Sequence, residues 1–401
     1  MTVTGRRNAH LTYLGNSQAG RHGWLRLTPA YSVRLVREHL AELDPDAVVT
    51  DPFSGTGTTV LAAAELGRRG QALDINPFLV WLAAAKTRAY HPDVLGHATA
   101  QATDRVAEAR RRRSGEHWQP KLANIERWWS PAALEALAAL RSALDDLPVG
   151  PGRDLLDLGF CRVLIETSSA AFNHQSMSFH RSHDETTVEQ VLDRFVARTA
   201  EIAASAATPL PGQATVQQHD ARDLDSATIE PCDLLFTSPP YVNRMSYVRE
   251  LRPYLYWLRF LDEPGAAADL DWHAIGGTWG TATSRLATWR TTDTVPVERE
   301  LAEVCRAIGR GPSGGLLAAY VRKYFTDVWS HVQAAYKQVR SGGRAVYIVG
   351  NSTFYGHLVP TEQWYRSLLL EAGFTEVEVQ TIRKRNSKRE LFEFAVTAHR
   401  P

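Results

Sequence analysis

Two short segments of the 401-residue sequence combine residue types that could bind a cofactor and carry out a transfer reaction. The first is DPFSGTGTT, residues 51–59, in which small residues let the backbone pass close to a bound molecule. The second is TSPPY, residues 237–241, in which a hydroxyl, a proline carbonyl and an aromatic ring follow one another. We expect the first segment to bind a cofactor and the second to activate a polar group of a substrate.

Three kinds of cofactor could be bound by the glycine loop, residues 51–59. A phosphate-binding P-loop would need a lysine after Gly57, and a dinucleotide fingerprint would need a glycine where Val60 stands. S-adenosylmethionine needs instead an acid at the end of the next strand, which accepts hydrogen bonds from both ribose hydroxyls. Asp74 stands there, and Asp220, before a later strand, is placed to accept from the adenine amino group. The two acids favour S-adenosylmethionine over a plain strand-to-helix turn.

The TSPPY segment, which we call the catalytic loop, has groups that could make an exocyclic nucleobase amine reactive. The lone pair of such an amine is delocalised into the ring, so the amine is a poor nucleophile. Acceptors at the Ser238 side chain and the Pro239 carbonyl could draw the amine towards tetrahedral geometry and free its lone pair to attack a methyl sulfonium. Tyr241 would stack on a flipped base, so Tyr241→Phe is expected to be tolerated. A proline pair also ends strands, and that simpler role stays open.

DPFSGTGTT, followed by ALDINP, HDARDL and TSPPY, resembles the motifs of the DNA amino-methyltransferases, which form N4-methylcytosine or N6-methyladenine. The resemblance covers about residues 20–90, 213–245 and 336–401. It implies S-adenosyl-L-methionine as the cofactor, a flipped base as the substrate and direct transfer of the methyl group to nitrogen. Serine at the first catalytic position, Ser238, is more typical of cytosine-N4 enzymes, so cytosine N4 is preferred over adenine N6.

The resemblance also assigns roles to individual residues. The catalytic residues are Ser238, Pro239, Pro240 and Tyr241. The residues expected at the cofactor are Thr28, Pro29, Asp51, Pro52, Phe53, Ser54, Gly55, Thr56, Gly57, Thr58, Asp74, Ile75, Asn76, Asp220 and Ala221. Histidines and cysteines lack the spacing of a metal site, so no metal is expected.

Basic residues near these motifs are candidates for contacts with a nucleic acid. They are Arg181, Arg244, Arg249, Arg383, Lys384, Arg385 and Lys388. The last four belong to RKRNSKRE, a predicted loop between the final two strands, where they would contact phosphates. DNA is the expected partner, and a cognate restriction or defence-system protein is a second candidate. The sequence does not indicate an oligomeric state.

The pattern of apolar residues places both segments in one α/β core. VVTD, TTVLAAAELG and QALDI predict a strand, a helix and a parallel strand around the glycine loop. The preceding helix is predicted to begin with Thr28 as its N-cap and Pro29 at its first position. We expect a Rossmann-like S-adenosylmethionine-dependent methyltransferase core with a mostly parallel sheet and a C-terminal antiparallel hairpin. A helical insertion and a second, mixed insertion would interrupt it.

Breaks in this pattern divide the chain into five segments. Residues 1–90 would hold the first part of the core with the cofactor loop, 213–243 the catalytic loop and 336–401 the C-terminal part of the core. Residues 91–212 predict the helical insertion, a candidate for DNA recognition. Residues 244–335 predict the second insertion, a candidate for target recognition or for a lid.

Composition limits the class of protein. Hydrophobic residues make up 44% of the chain and the formal net charge is +1, which suits a folded protein with a large core. The three cysteines are widely spaced, which excludes a disulfide framework and favours the reducing cytoplasm. No apolar run is long enough to predict a membrane span. Two alternative functions stay open: an RNA base amino-methyltransferase, and a catalytically inactive nucleic-acid-binding subunit.

Overall fold

A central sheet organises the computed structural model, which describes residues 15–16, 19–25, 27, 31–113, 115–171, 178–179, 186–278, 281–386 and 390–401. The strands within these residues are β1 (Val48–Asp51), β2 (Arg69–Asp74), β3 (Ala170–Ala171), β4 (Ser178–Phe179), β5 (Gln213–Gln218), β6 (Cys232–Thr237), β7 (Val339–Gly350), β8 (Ser352–Phe354), β9 (His357–Val359), β10 (Thr375–Asn386) and β11 (Leu391–His399). Seven of them form the central sheet in the order β10-β11-β7-β6-β1-β2-β5.

Helices cover the faces of this sheet and form the two long interruptions between its strands. They are α1 (Val33–Leu40), α2 (Thr58–Glu65), α3 (Pro77–Thr87), α4 (Pro92–Arg112), α5 (Pro131–Asp145), α6 (Pro151–Glu166), α7 (Val188–Ala206), α8 (Tyr247–Trp257), α9 (Ala266–His273), α10 (Thr281–Thr288), α11 (Glu298–Gly309), α12 (Gly314–Gln338) and α13 (Thr361–Ala372). Among the residues placed in the structure, no helix is both long and apolar enough to span a membrane.

The sheet confirms the predicted fold class. β5, β2, β1, β6 and β7 are parallel neighbours, whereas β11 is antiparallel to both β7 and β10. The core is therefore a mostly parallel sheet with a C-terminal antiparallel hairpin at one edge. Because β1 and β6 are adjacent and parallel, the glycine loop and the catalytic loop leave the sheet at the same end.

The glycine loop needs glycine at two positions where the backbone has a positive φ, and at one of them a side chain would also clash with α3. Gly57 precedes α2 with φ of +76°, a conformation that L-residues rarely adopt. A Cβ at this position would also lie 2.9 Å from the Cβ of Ala83 in α3. Gly55 likewise has a positive φ, of +50°. The loop therefore lies directly against α3, and its backbone is left to face the space above the sheet.

The helix predicted to begin at Pro29 begins instead at Val33. Ser32 precedes it in an extended conformation, with φ −69° and ψ 126°. The hydroxyl of Tyr31 donates to the Asp51 carboxylate at 2.8 Å, so the chain is held against the end of β1 before the helix starts. Thr28 and Pro29 themselves lie outside the described residues.

The basic segment predicted as a hairpin loop is mostly strand. β10 continues to Asn386, and Arg383 and Lys384 pair in register with Glu393 and Phe392 of β11. The prediction that Arg383, Lys384 and Arg385 belong to a loop was therefore wrong. A cross-strand ion pair between Arg383 and Glu393, 2.7 Å long, favours the longer strand.

The two interruptions differ in how they contact the core. Helices α4–α7 pack with α8 around an apolar cluster that includes Trp128, Trp129 and Trp257. The second interruption, predicted as a mixed insertion, contains helices α8–α12 in its described part. Helix α12 packs against the other side of the core, with Tyr320 and Tyr324 buried.

Candidate active site

A cavity of about 360 Å³ lies where β1 and β6 end. All four predicted catalytic residues, Ser238, Pro239, Pro240 and Tyr241, line it. So do most of the residues predicted to bind the cofactor: Pro52, Phe53, Ser54, Gly55, Thr56, Thr58, Asp74, Ile75, Asn76, Asp220 and Ala221. Asp51 and Gly57 lie behind this wall. The two predicted groups of residues thus face a single space.

Asp74 is presented to the cavity by hydrogen bonds from two neighbouring loops. One of its carboxylate oxygens accepts from the Gly55 N–H and the other from the Asn76 N–H, each at 2.9 Å. Burial raises the pKa of Asp74 to about 6, although these N–H groups act in the opposite direction. The carboxylate has lone pairs left to accept hydrogen bonds from a diol such as a ribose.

The raised pKa of Asp74 predicts that cofactor binding depends on pH. Below pH 6 the carboxyl is protonated in the free protein, and it must lose this proton to accept both ribose hydroxyls. The dissociation constant of S-adenosylmethionine should therefore rise about tenfold per pH unit below 6 and stay constant from pH 7 to 8. Calorimetric titrations between pH 5 and 8 test this. An Asp74→Asn variant should show no such inflection, and an inflection retained in it would assign the proton to another group.

Asp220 lies on the cavity wall with its charge already compensated. The Arg222 guanidinium contacts both carboxylate oxygens, with Nε at 3.0 and 3.1 Å, and also donates to Asp327 at 2.9 Å. Burial alone would raise the pKa of Asp220, but the hydrogen bonds from Arg222 outweigh it and the pKa is lowered. Asp220 therefore stays ionised. The backbone N–H, Nε and Nη2 of Arg222 all donate to it, which leaves one lone pair to accept from an amino group.

A buried histidine that sequence reasoning missed supports the same wall. His331 in α12 lies 2.7 Å from the Ala221 carbonyl through Nδ1 and 3.0 Å from the Tyr347 hydroxyl through Nε2. Burial lowers the pKa of His331 to about 4, so the ring is neutral near pH 7. Nδ1–H then donates to Ala221, and Nε2 accepts from Tyr347. The ring also packs edge-on against Phe53, with centroids 4.7 Å apart.

Asp51 joins the two loops instead of lining the cavity. Its carboxylate is fully buried and accepts from the Tyr31 hydroxyl at 2.8 Å and the Thr237 hydroxyl at 2.6 Å. It also accepts from the Phe53 N–H at 3.1 Å. Because Thr237 ends β6 and Phe53 follows β1, this one carboxylate fixes the start of the catalytic loop relative to the glycine loop.

The catalytic loop holds its polar atoms in defined hydrogen-bonding roles. The Ser238 hydroxyl donates to the Ile348 carbonyl at 3.1 Å, so its only proton is used and it must accept from any further partner. The Tyr324 hydroxyl donates to the Pro240 carbonyl at 2.7 Å. Within the described part of the chain, no group donates to the Pro239 carbonyl. Ser238 and Pro239 both line the cavity, and each has an oxygen that could accept a further hydrogen bond.

Tyr241 is held by a hydrogen bond at its hydroxyl and by a cation over its ring. Its hydroxyl donates to Glu393 at 2.8 Å, and Glu393 is paired with Arg383 at 2.7 Å. The Arg385 guanidinium lies over the Tyr241 ring, with Cζ 5.1 Å from the centroid. The aromatic ring is therefore presented to the cavity in one orientation, which suits stacking on a planar ligand.

These contacts change the expectation that Tyr241→Phe is neutral. Loss of the hydroxyl leaves the buried Glu393 carboxylate without one donor, and a hydrogen bond to a charged group contributes about 1.5 to 3 kcal/mol. We expect the variant to lose about 1.5 kcal/mol of unfolding free energy in urea denaturation. Tyr336→Phe, whose hydroxyl has no hydrogen-bond partner among the described residues, should lose far less. Equal losses in both variants would contradict this account.

The predicted nucleic-acid contacts fall into three groups. Arg383 and Arg385 line the cavity, although Lys384 does not and pairs with Glu390 at 2.9 Å. Arg244 is exposed directly after the catalytic loop, and Arg249 lies on α8 away from the cavity wall. Arg181 and Lys388 lie outside the described residues.

Several cavity residues had no predicted role. They are Leu79, His219, Asn243, Met245, Tyr247, Val248, His273, Ala274, Ile275 and Glu393. His219 and Asn243 adjoin predicted site residues, so their positions could have been found by extending each motif. Glu393 carries no such signal, because only the pairing of β11 with β7 brings it here. No three His, Cys, Asp or Glu residues cluster as a metal site within the described ranges.

A comparison with protein families matches one part of the chain. Residues 29–86 match the profile of the N6/N4 methyltransferase family described as DNA methylase. No curated protein sequence matches the chain. The fold is similar to two structures of the rRNA methyltransferase aviRa from Streptomyces viridochromogenes, each 12% identical. The 1.5 Å structure has a TM-score of 0.31, covering 92% of this chain and 85% of that chain. The 2.4 Å structure has a TM-score of 0.32, covering 97% and 96%. Scores this low carry no information about substrate.

Proposed function

Since residues 29–86 match the N6/N4 methyltransferase family, we propose that the chain is a DNA methyltransferase acting on an exocyclic amine of a flipped base. Cytosine N4 is the preferred target. The observation that carries this proposal is the pair of acceptors at Ser238 and Pro239 in the cavity that also contains Asp74. A cofactor held by Asp74 and an amine held by the two acceptors would face each other there.

The residues of this chain would bind and orient the amine. Its two N–H groups would donate to Ser238 Oγ and to the Pro239 carbonyl, which would leave its lone pair free to react. S-adenosylmethionine, when bound, supplies a methyl group on a positively charged sulfur. As the nitrogen gains positive charge, the two acceptors would bind its N–H groups more strongly, which would lower the barrier. The nitrogen would then release one of its two protons to solvent. Tyr241 stacks on the base and keeps the amine in line.

Methylation at a ring carbon would need a cysteine nucleophile, and the structure does not place one at the cavity. Cys232 follows Pro231, a dipeptide that carbon-5 methylation uses, but it lies at the start of β6 whereas the catalytic loop follows the end of that strand. It is fully buried, and burial raises the pKa of its thiol to about 12. A thiol with that pKa is neutral near pH 7 and is a poor nucleophile.

Transfer of a labelled methyl group to DNA or to RNA tests this proposal. The protein is incubated with methyl-labelled S-adenosylmethionine and, in parallel, duplex DNA, single-stranded DNA and ribosomal or transfer RNA. We expect label in DNA. Label in RNA alone would overturn the DNA assignment. Cofactor binding without transfer to either polymer would instead support the inactive-subunit alternative.

A further inference from the structure

Arg385 is held across the end of β7 by several independent contacts. Its Nε donates to the Phe392 carbonyl at 3.0 Å, and its Nη2 donates to the Asn351 carbonyl. Gly350 leaves the space that the guanidinium occupies, because a Cβ there would lie 2.7 Å from the Arg385 Cζ. The side chain, long and flexible in solution, is thus fixed in one position beside the catalytic loop.

Among the described residues, no carboxylate forms an ion pair with Arg385. Its neighbours in β10 are paired, Arg383 with Glu393 and Lys384 with Glu390. The contacts of Arg385 within the described residues are two carbonyls and the Tyr241 ring, all of them neutral. A half-buried cation that lines a cavity without a counter-charge favours a ligand with hydrogen-bond acceptors at that place.

Arg385 and Tyr241 line the same cavity and lie close to each other. Face-to-face stacking would bring the guanidinium to about 3.5 to 4 Å from the ring, whereas its Cζ lies 5.1 Å from the centroid. The guanidinium is therefore not stacked closely on the centre of the ring. Both groups line the cavity, so a base stacked on Tyr241 would lie next to the guanidinium. Two N–H groups of Nη1 and one of Nη2 are left to donate to it.

Resting on the proposed function, we propose that Arg385 recognises the target base by donating from Nη1 and Nη2 to N3 and O2 of cytosine. These two acceptors adjoin the N4 amine on one edge of cytosine, and a guanidinium fork matches such a pair. Adenine offers N1 beside its amine and then a C–H group, so only one donor would be used. Arg385 would thus favour cytosine over adenine by about 10- to 100-fold, as one bidentate contact typically does.

Substitution of Arg385 by lysine distinguishes recognition of a base from contact with a phosphate. Lysine keeps the charge of arginine but lacks its planar fork, so it can replace arginine at a phosphate better than at a pair of base acceptors. Arg385→Lys should retain DNA affinity and its salt dependence, yet form N4-methylcytosine about 10- to 100-fold more slowly. Gly350→Ala should act similarly, because it keeps the charge but displaces the guanidinium. Both should bind S-adenosylmethionine with wild-type affinity, which shows that the fold persists.

The experiment is single-turnover methylation of mixed-sequence DNA, with product nucleosides quantified by mass and DNA affinity measured over a range of salt. Arg366→Gln, an exposed arginine on α13, is the control and should leave rate and nucleoside product unchanged. A wild-type rate in Arg385→Lys overturns the proposal. So does an Arg385→Gln variant whose salt slope falls by about 0.9 unit, the loss of one phosphate contact. If the wild-type protein methylates no base, both this proposal and the proposed function fail. If the wild-type protein methylates DNA and the Arg385 variants do so at the same rate, only the role of Arg385 fails and the proposed function stands.

Discussion

Ser238→Ala is expected to slow methyl transfer about 10- to 1000-fold, as the loss of one positioned group at a reacting atom does in other enzymes. The Ser238 hydroxyl donates its hydrogen bond to the Ile348 carbonyl, so its oxygen is left to accept one from the substrate amine. This interaction grows as the nitrogen becomes positive. Its loss should therefore reduce the rate of the chemical step and leave binding of S-adenosylmethionine almost unchanged.

Single-turnover methylation at saturating cofactor measures this effect without interference from product release. Ser367→Ala, on the outer surface of α13, removes a hydroxyl of the same kind far from the cavity and should react at the wild-type rate. A wild-type rate in Ser238→Ala would make the catalytic loop a strand terminator only. A loss of cofactor affinity equal to the loss of rate would also contradict the role given to Ser238.

Asp74→Ala is expected to weaken S-adenosylmethionine binding by about 10- to 100-fold, since a hydrogen bond to a charged acceptor contributes about 1.5 to 3 kcal/mol. The carboxylate also holds the Gly55 and Asn76 N–H groups, so its removal loosens the glycine loop. Asp74→Asn keeps one acceptor oxygen and should have an intermediate effect.

Isothermal titration with the cofactor measures this loss, and thermal unfolding checks that the variant remains folded. Asp223→Ala is a suitable control, because this acid lies close to the cavity residue Asp220 in sequence but does not itself line the cavity. It should bind the cofactor with wild-type affinity. Unchanged affinity in Asp74→Ala would show that another group holds the ribose.

Local sequence patterns were sufficient for the central strands and for the two loops that follow them. β1 and β6 are short apolar runs, and each loop follows directly from its strand, with VVTD before the glycine loop and CDLLF before the catalytic loop. The spatial meeting of the two loops follows from adjacency of β1 and β6. Motif spacing therefore predicted most of the cavity wall.

Contacts between distant segments account for what the sequence could not predict. The bond from Tyr31 to Asp51 moves the start of α1 to Val33, a tertiary effect that an N-cap pattern does not contain. Likewise, pairing with β11 extends β10 through residues that read as a basic loop. His331 and Glu393 reach the site only through packing, so neither is recognisable from its neighbours in sequence.

The identity of the methylated nucleoside tests the central claim most directly. DNA is incubated with the protein and isotopically labelled S-adenosylmethionine, digested to nucleosides and analysed by mass spectrometry against synthetic standards. The account predicts labelled N4-methylcytosine, which must disappear or fall sharply with Ser238→Ala. Labelled 5-methylcytosine would contradict transfer to an exocyclic amine, and N6-methyladenine as the main product would contradict the preference for cytosine.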